Sequence, residues 1–225
     1  MHVCLFDIDG TLILSGGAGK SALEAALADE FGIPRLHDDI SLSGRTDRAI
    51  LLEMIDRHGL DASADTARRI LQSYLRHLPT HLRVGDGRVL PGILDLLAHL
   101  SRREDVVLGL LTGNVRAGAH IKLTHFGLWD YFGFGGYGDD HVDRDDVARA
   151  AWKEAQARHA LRVAPERVWV IGDTPLDIRC ARAIGARAVA VATGWHALEE
   201  LADHRPDLLL CDFSDPSPLL NHWAR

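Results

Sequence analysis

The chain has 225 residues, 47% of them hydrophobic and 25% charged, with a formal net charge of −7. That is a globular composition, long enough for one domain or for one domain carrying an insertion, and its acidic balance argues against nucleic acid and anionic membranes as partners. No apolar run approaches the roughly 18 residues of a membrane span, no basic-then-apolar leader is present, and Cys4, Cys180 and Cys211 show no CxxC spacing, which fits reduced thiols and a cytoplasmic location better than a disulfide framework.

Residues 3–8, VCLFDI, read as a buried strand ending on a carboxylate. A helix is expected over 17–33, where Leu23, Leu27 and Phe31 recur every four residues, with Gly32 and Pro34 as its stop. A second is expected near 46–58, and a third near 63–78 with Pro79 ending it. No strand pattern occurs between 15 and 85. Beyond residue 88 the pattern changes to helix 91–100, strand 106–111, helix 115–126, a short glycine-rich strand within 131–138 and helix 145–160. Strand 167–173, helix 175–184, strand 187–193, helix 196–203 and strand 208–211 complete it. Such alternation predicts an α/β class, a doubly wound, Rossmann-like parallel sheet with helices on both faces. The expected division is a core of 1–14 with 86–225, interrupted by an all-helical insertion over 15–85.

Two stretches compete as phosphate sites. GGAGKS at 16–21 ends like a nucleotide-binding loop, but the first glycine of that motif falls on Leu14. Gly16, Gly17 and Gly19 are therefore read as a hinge leading into the helix that starts near Ala18. The second stretch is DIDGT at 7–11. Ligands of parallel sheets bind at the carboxyl ends of the strands, and three strand ends here carry Asp7 and Asp9, then Thr112-Gly113-Asn114, then Asp173 with Asp177 four residues on.

DIDGT (7–11), LLTGN (110–114) and GDTPLD (172–177) resemble motifs one, two and four of the haloacid dehalogenase superfamily. Their spacings, 105 residues from Asp7 to Thr112 and 61 from Thr112 to Asp173, suit that family, and the helical insertion resembles its cap. The resemblance implies a phosphatase similar to the phosphoglycolate phosphatases, acting on a small phosphorylated metabolite. Asp7 would be the nucleophile and form an aspartyl-phosphate. Asp9 would serve as acid and then base. Thr112, Gly113 and Asn114 would hold phosphoryl oxygens. The Asp7 and Asp173 side chains and the Asp9 carbonyl, with Asp177 in support, would bind Mg²⁺, a hard ion that takes oxygen ligands. Asp9 points to phosphoryl transfer rather than dehalogenation, since true dehalogenases carry an aromatic residue there. A sugar phosphomutase, a phosphonate hydrolase using Lys20, and an inactive regulatory or nucleotide-binding domain are the alternatives. In the cap, SGRTDR (43–48) places Arg45 where it would face the site, against a reading as a solvated surface cation.

The chain departs from the family at motif three, which normally supplies a lysine. Only Lys20, Lys122 and Lys153 occur, none of them in the expected loop, GDDHVDRDDVARAA at 138–151. Ungapped placement puts His141 in the lysine's position. Charge favours Arg144, which stays cationic at any working pH, with His141 second. Lys122, in IKLTHFGL, is read as a helix-surface residue.

Overall fold

The computed structural model describes residues 1–159 and 163–223. In chain order the strands and α-helices are β1 (His2–Phe6), β2 (Ile13–Leu14), α1 (Ala18–Phe31), α2 (Asp47–Arg57), α3 (Ala64–Val84), β3 (Arg88–Val89), α4 (Ile93–Leu100), β4 (Val106–Leu111) and α5 (Arg116–His125). They continue with β5 (Phe134–Gly136), α6 (Arg144–His159), β6 (Val168–Gly172), α7 (Pro175–Ala183), β7 (Arg187–Val191), α8 (Leu198–Asp203), β8 (Leu208–Leu210) and α9 (Ser217–Leu220). The expected end of the long helix at residue 160 lies outside the described residues.

Six strands form one sheet in the order β5-β4-β1-β6-β7-β8, and every pairing is parallel. The α/β sheet expected from the alternating pattern is therefore present. Both faces are covered, which is why β4 reads as the unbroken apolar run VVLGLL. Along β1 the side chains alternate: Cys4 and Phe6 join one core layer with Leu96, Leu97 and Leu123, while Val3 and Leu5 join the other with Val147, Ala151 and Ile178. Strand order proceeds outward from β1 in both directions, so its carboxyl end is the switch point where a parallel sheet opens a crevice.

Between β2 and β3 the chain forms α1, α2 and α3 and no strand. β2 and β3 pair antiparallel, Ile13 with Val89 and Leu14 with Arg88, so the chain enters and leaves this helical segment through one two-stranded ribbon. Gly16 and Gly17 adopt φ of 60° and 79°, and Gly17 caps α1. At Gly16 a side chain would strike the backbone of Asp86, so glycine is required by a close approach as well as by the backbone angle.

One helix differs from expectation. α3 does not stop at Pro79 but runs on to Val84. An internal proline costs a helix roughly 3 kcal/mol. Burying one leucine returns roughly 1.5–3 kcal/mol, and Leu78 and Leu82 are both buried against Ala18, Ala22 and Ala26. Tertiary packing outweighs the local breaker. Among the described residues no helix is long and apolar enough to cross a membrane.

Candidate active site

The first strand delivers Asp7 and the turn after it delivers Asp9 and Gly10. Gly10 has φ +85°, and a Cβ there would stand 2.3 Å from Asp173 Oδ2. A Cβ at Gly194 would approach the same oxygen to 1.7 Å. Two glycines thus let the backbone close on the Asp173 carboxylate, which also accepts from Thr11 Oγ1 at 3.2 Å. Asp173 follows β6, and Asp177 lies in the first turn of α7, where it closes a capping box with Thr174. Asp177 Oδ2 accepts from the Thr174 amide (3.0 Å) and hydroxyl (2.7 Å).

Asp7, Asp173 and Asp177 each offer an oxygen, all within 4.8 Å of one another, and all three are buried. Burial pushes Asp7 up to about 6, against the pull of Arg144 and with Asp177 adding to the rise. Burial, then Asp177 and Asp7, push Asp173 well above the usual carboxylate range. Crowded oxygen donors with more negative charge than their protein partners neutralise are the donor set of a hard divalent cation. Both Asp177 oxygens are engaged within the protein, one by Arg144 and the other by Thr174.

Arg144 opens α6 and is 3% exposed. Its Nη2 stands 3.0 Å from Asp7 Oδ1 and 2.6 Å from Asp177 Oδ1, and its Nη1 donates to the Gly44 carbonyl at 2.8 Å. His141 lies half-buried in the preceding loop, and no contact among the described residues joins it to Asp7. Arg45 turns its guanidinium back into the helical segment, to Glu53 and to the Ser41 carbonyl. Its backbone, however, sits on motif two: a Cβ at Gly113 would come 2.0 Å from the Arg45 carbonyl oxygen. Thr112 is fully buried, its hydroxyl accepting from the Asn114 amide nitrogens of backbone (3.3 Å) and side chain (2.9 Å).

Lys122 is the residue that sequence reading misplaced. It is not on the surface of α5 but buried, with Nζ 2.6 Å from Asp9 Oδ2 and 2.7 Å from Asn114 Oδ1. The signal was present: Lys122 follows Ala119 by three positions and Gly118 by four, and both are on the buried face of the helix. Burial alone would raise Asp9, but Lys122 and then Asn114 hold its carboxyl below the usual value. Lys20 of GGAGKS is exposed and belongs to α1.

The helical segment is tied to the core at several points around this site. Thr46 Oγ1 donates to the Val142 carbonyl (3.0 Å), the Asp47 amide to the Gly113 carbonyl (2.7 Å), and the Val115 amide to Asp47 Oδ2 (2.8 Å). Burial pushes the Asp47 carboxyl up to about 6, from an unfolded value near 3.8, with Lys122 opposing the rise. A raised carboxyl favours the fold fully below its unfolded value, and that contribution is lost as pH rises through about 6. Asp47→Asn, which keeps an acceptor for Val115, should therefore raise Tm at pH 8 by about 3 °C, the shift of roughly 1 kcal/mol in a chain of this size. The gap should close by pH 4 in parallel thermal melts. A lower Tm than wild type at pH 8 would mean that Lys122 holds Asp47 ionised.

A model of haloacid dehalogenase-like hydrolases matches residues 4–182. The chain is 32% identical to a phosphoglycolate phosphatase from Synechococcus elongatus over 98% of this chain and 96% of that one. It is 31% identical to a validoxylamine A 7'-phosphate phosphatase from Streptomyces hygroscopicus, covering 95% and 94%. In fold it matches CbbY from Rhodobacter sphaeroides in complex with phosphate, with TM-score 0.76 at 19% identity and 96% of each chain covered. The strand-end carboxylates, the six-stranded parallel sheet and these likenesses agree: the chain belongs to the haloacid dehalogenase-like hydrolases.

Proposed function

We propose that this enzyme is a phosphoric monoester hydrolase that cleaves a small phosphorylated metabolite through an aspartyl-phosphate on Asp7. The observation that carries the reading is the meeting of Asp7, Asp173, Asp177 and Arg144 in one buried cluster at the carboxyl ends of β1 and β6. An Asp7 carboxylate oxygen attacks phosphorus as the bond to the ester oxygen breaks. Asp9 supplies the proton that the departing alkoxide needs, then takes one from the water that attacks phosphorus and frees Asp7. The Arg144 guanidinium, beside Asp7, offsets charge on the phosphoryl oxygens, where positioning and positive charge supply most of the rate. Thr112 and the backbone of Gly113 and Asn114 fix the other side of the phosphoryl pocket.

Asp7, Asp173 and the Asp9 carbonyl would hold Mg²⁺, with Asp177 behind them, and the ion would supply positive charge against the carboxylates and the phosphoryl oxygens. Residues 15–85 act as a cap whose 43–48 turn closes over the phosphoryl site through Gly44 and Arg45 backbone. Phosphoglycolate is the first substrate to test, because a relative matched over nearly its whole length carries that name. The three cysteines are free, Cys4 and Cys180 buried and Cys211 exposed, which supports a reducing, cytoplasmic setting.

A panel of phosphoglycolate, sugar phosphates and an aryl phosphate, assayed for phosphate release with Mg²⁺, tests the reading. Turnover should appear with at least one ester and disappear in excess chelator, returning with added Mg²⁺. Turnover that persists in chelator sinks the metal assignment, and no phosphate release from any ester sinks the phosphatase reading.

A further inference from the structure

We propose that Lys122 is a positioning residue that holds the acid/base carboxylate Asp9 in line with the ester oxygen, a task separate from that of Arg144. This rests on the phosphatase reading above. Two buried cations serve two carboxylates: Arg144 contacts Asp7, and Lys122 contacts Asp9. Lys122 is 5% exposed, and a buried ammonium is costly unless its donors are used. Here one donor goes to Asp9 Oδ2 at 2.6 Å and another to Asn114 Oδ1 at 2.7 Å. Asn114 in turn donates through Nδ2 to the same Asp9 oxygen and to Thr112 Oγ1, each at 2.9 Å.

The closed triangle decides more than one orientation. An ammonium has donors only, so it must meet the carbonyl end of the Asn114 side chain. That fixes the amide nitrogen toward Asp9. Without Lys122 the amide is free to reverse and present oxygen to oxygen. Asp9 needs such a hold, because its side chain is 36% exposed in the turn after β1 and is held by polar contacts, from Lys122, Asn114 and Ser15. From the cap side, Tyr74 and Asp47 bear on Lys122 electrostatically, and Gly19 of α1 approaches Nζ, where a Cβ would stand 3.8 Å away. Lys122 therefore lies at the seam of cap and core, against the one catalytic carboxylate that serves the leaving group.

Leaving-group dependence separates this role from a structural one. A p-nitrophenolate departs with little need of a proton, while a phenolate needs one more. We would compare kcat/KM for p-nitrophenyl phosphate and phenyl phosphate in wild type, Lys122→Met and Lys122→Gln, with Asp9→Asn as the reference for a missing acid. Both lysine variants should lose about tenfold more on phenyl phosphate than on p-nitrophenyl phosphate, a part of the 10²–10⁴ that general acid–base catalysis supplies. Lys122→Gln, which keeps an N–H donor, should lose less than Lys122→Met. An equal loss on both esters, or no loss, in whichever variant folds overturns the proposal. If wild type releases phosphate from none of the esters named here or in the panel above, the phosphatase reading itself falls and the proposal with it.

Discussion

Asp7→Asn should abolish phosphate release, lowering kcat by about four orders of magnitude or more, the scale on which loss of a nucleophile acts in other enzymes. The amide keeps the shape of the side chain and its place at the end of β1. It loses the charged oxygen that attacks phosphorus. The fold should not suffer. Burial raises the Asp7 carboxyl to about 6, so ionising it costs the folded state as pH rises through that value. Asp7→Asn removes that cost, and its Tm at pH 8 should equal or exceed that of wild type. Steady-state assays with the most active ester, paired with thermal melts, check both halves. Turnover within tenfold of wild type would remove Asp7 from the role of nucleophile. A marked fall in Tm would mean that the pair with Arg144 holds Asp7 ionised and stabilises the fold.

Arg144→Ala should cost about a hundredfold or more in kcat, the scale of losing one electrostatic stabiliser. It should also cost stability. The guanidinium stands between Asp7 and Asp177, all three of them buried, and reaches the carbonyl of half-buried Gly44. Removing one partner of a buried ion pair costs roughly 3–5 kcal/mol, because the other charge stays buried and alone. His141→Ala should remain near wild type in both respects, since His141 sits half-buried in a loop and no contact among the described residues joins it to Asp7. Circular dichroism at the assay temperature separates the two losses. A crippled His141→Ala beside a mild Arg144→Ala would reverse the assignment of the phosphoryl-site cation. Retained kcat in a folded Arg144→Ala would leave Arg144 as a purely structural clamp between core and cap.

Much of this architecture was legible from residue order. Periodicity is a local property: an apolar run such as VVLGLL is a strand buried on both faces wherever it occurs, and leucines every four residues make a helix with one apolar side. The carboxylates of DIDGT and GDTPLD follow the strands that deliver them, so their common edge of the sheet could be read from the pattern. The glycine spacing of GGAGKS breaks at Leu14, and Lys20 is exposed on α1. What order alone left open is which cation reaches which carboxylate. Lys122 and Asp9 are 113 residues apart, Arg144 and Gly44 are 100 apart, and no local rule fixes such distances. Helical spacing placed Lys122 beside buried positions, but a lysine is rarely buried without a partner, and its partner exists only once β1 and β4 lie side by side. The same holds for Arg45, whose guanidinium finds Glu53 while its backbone meets Gly113, and for Pro79, where the packing of Leu78 and Leu82 outweighs the local break. The sequence by itself determined the six strands of the main sheet, the places of the longer helices and the carboxylates at the strand ends, because those follow from local sterics and apolar spacing; only the tertiary structure decided the β2–β3 ribbon, the run of α3 past Pro79 and the pairing of buried charges, because those depend on packing and on distances set by the sheet and by the docking of the helical segment on it.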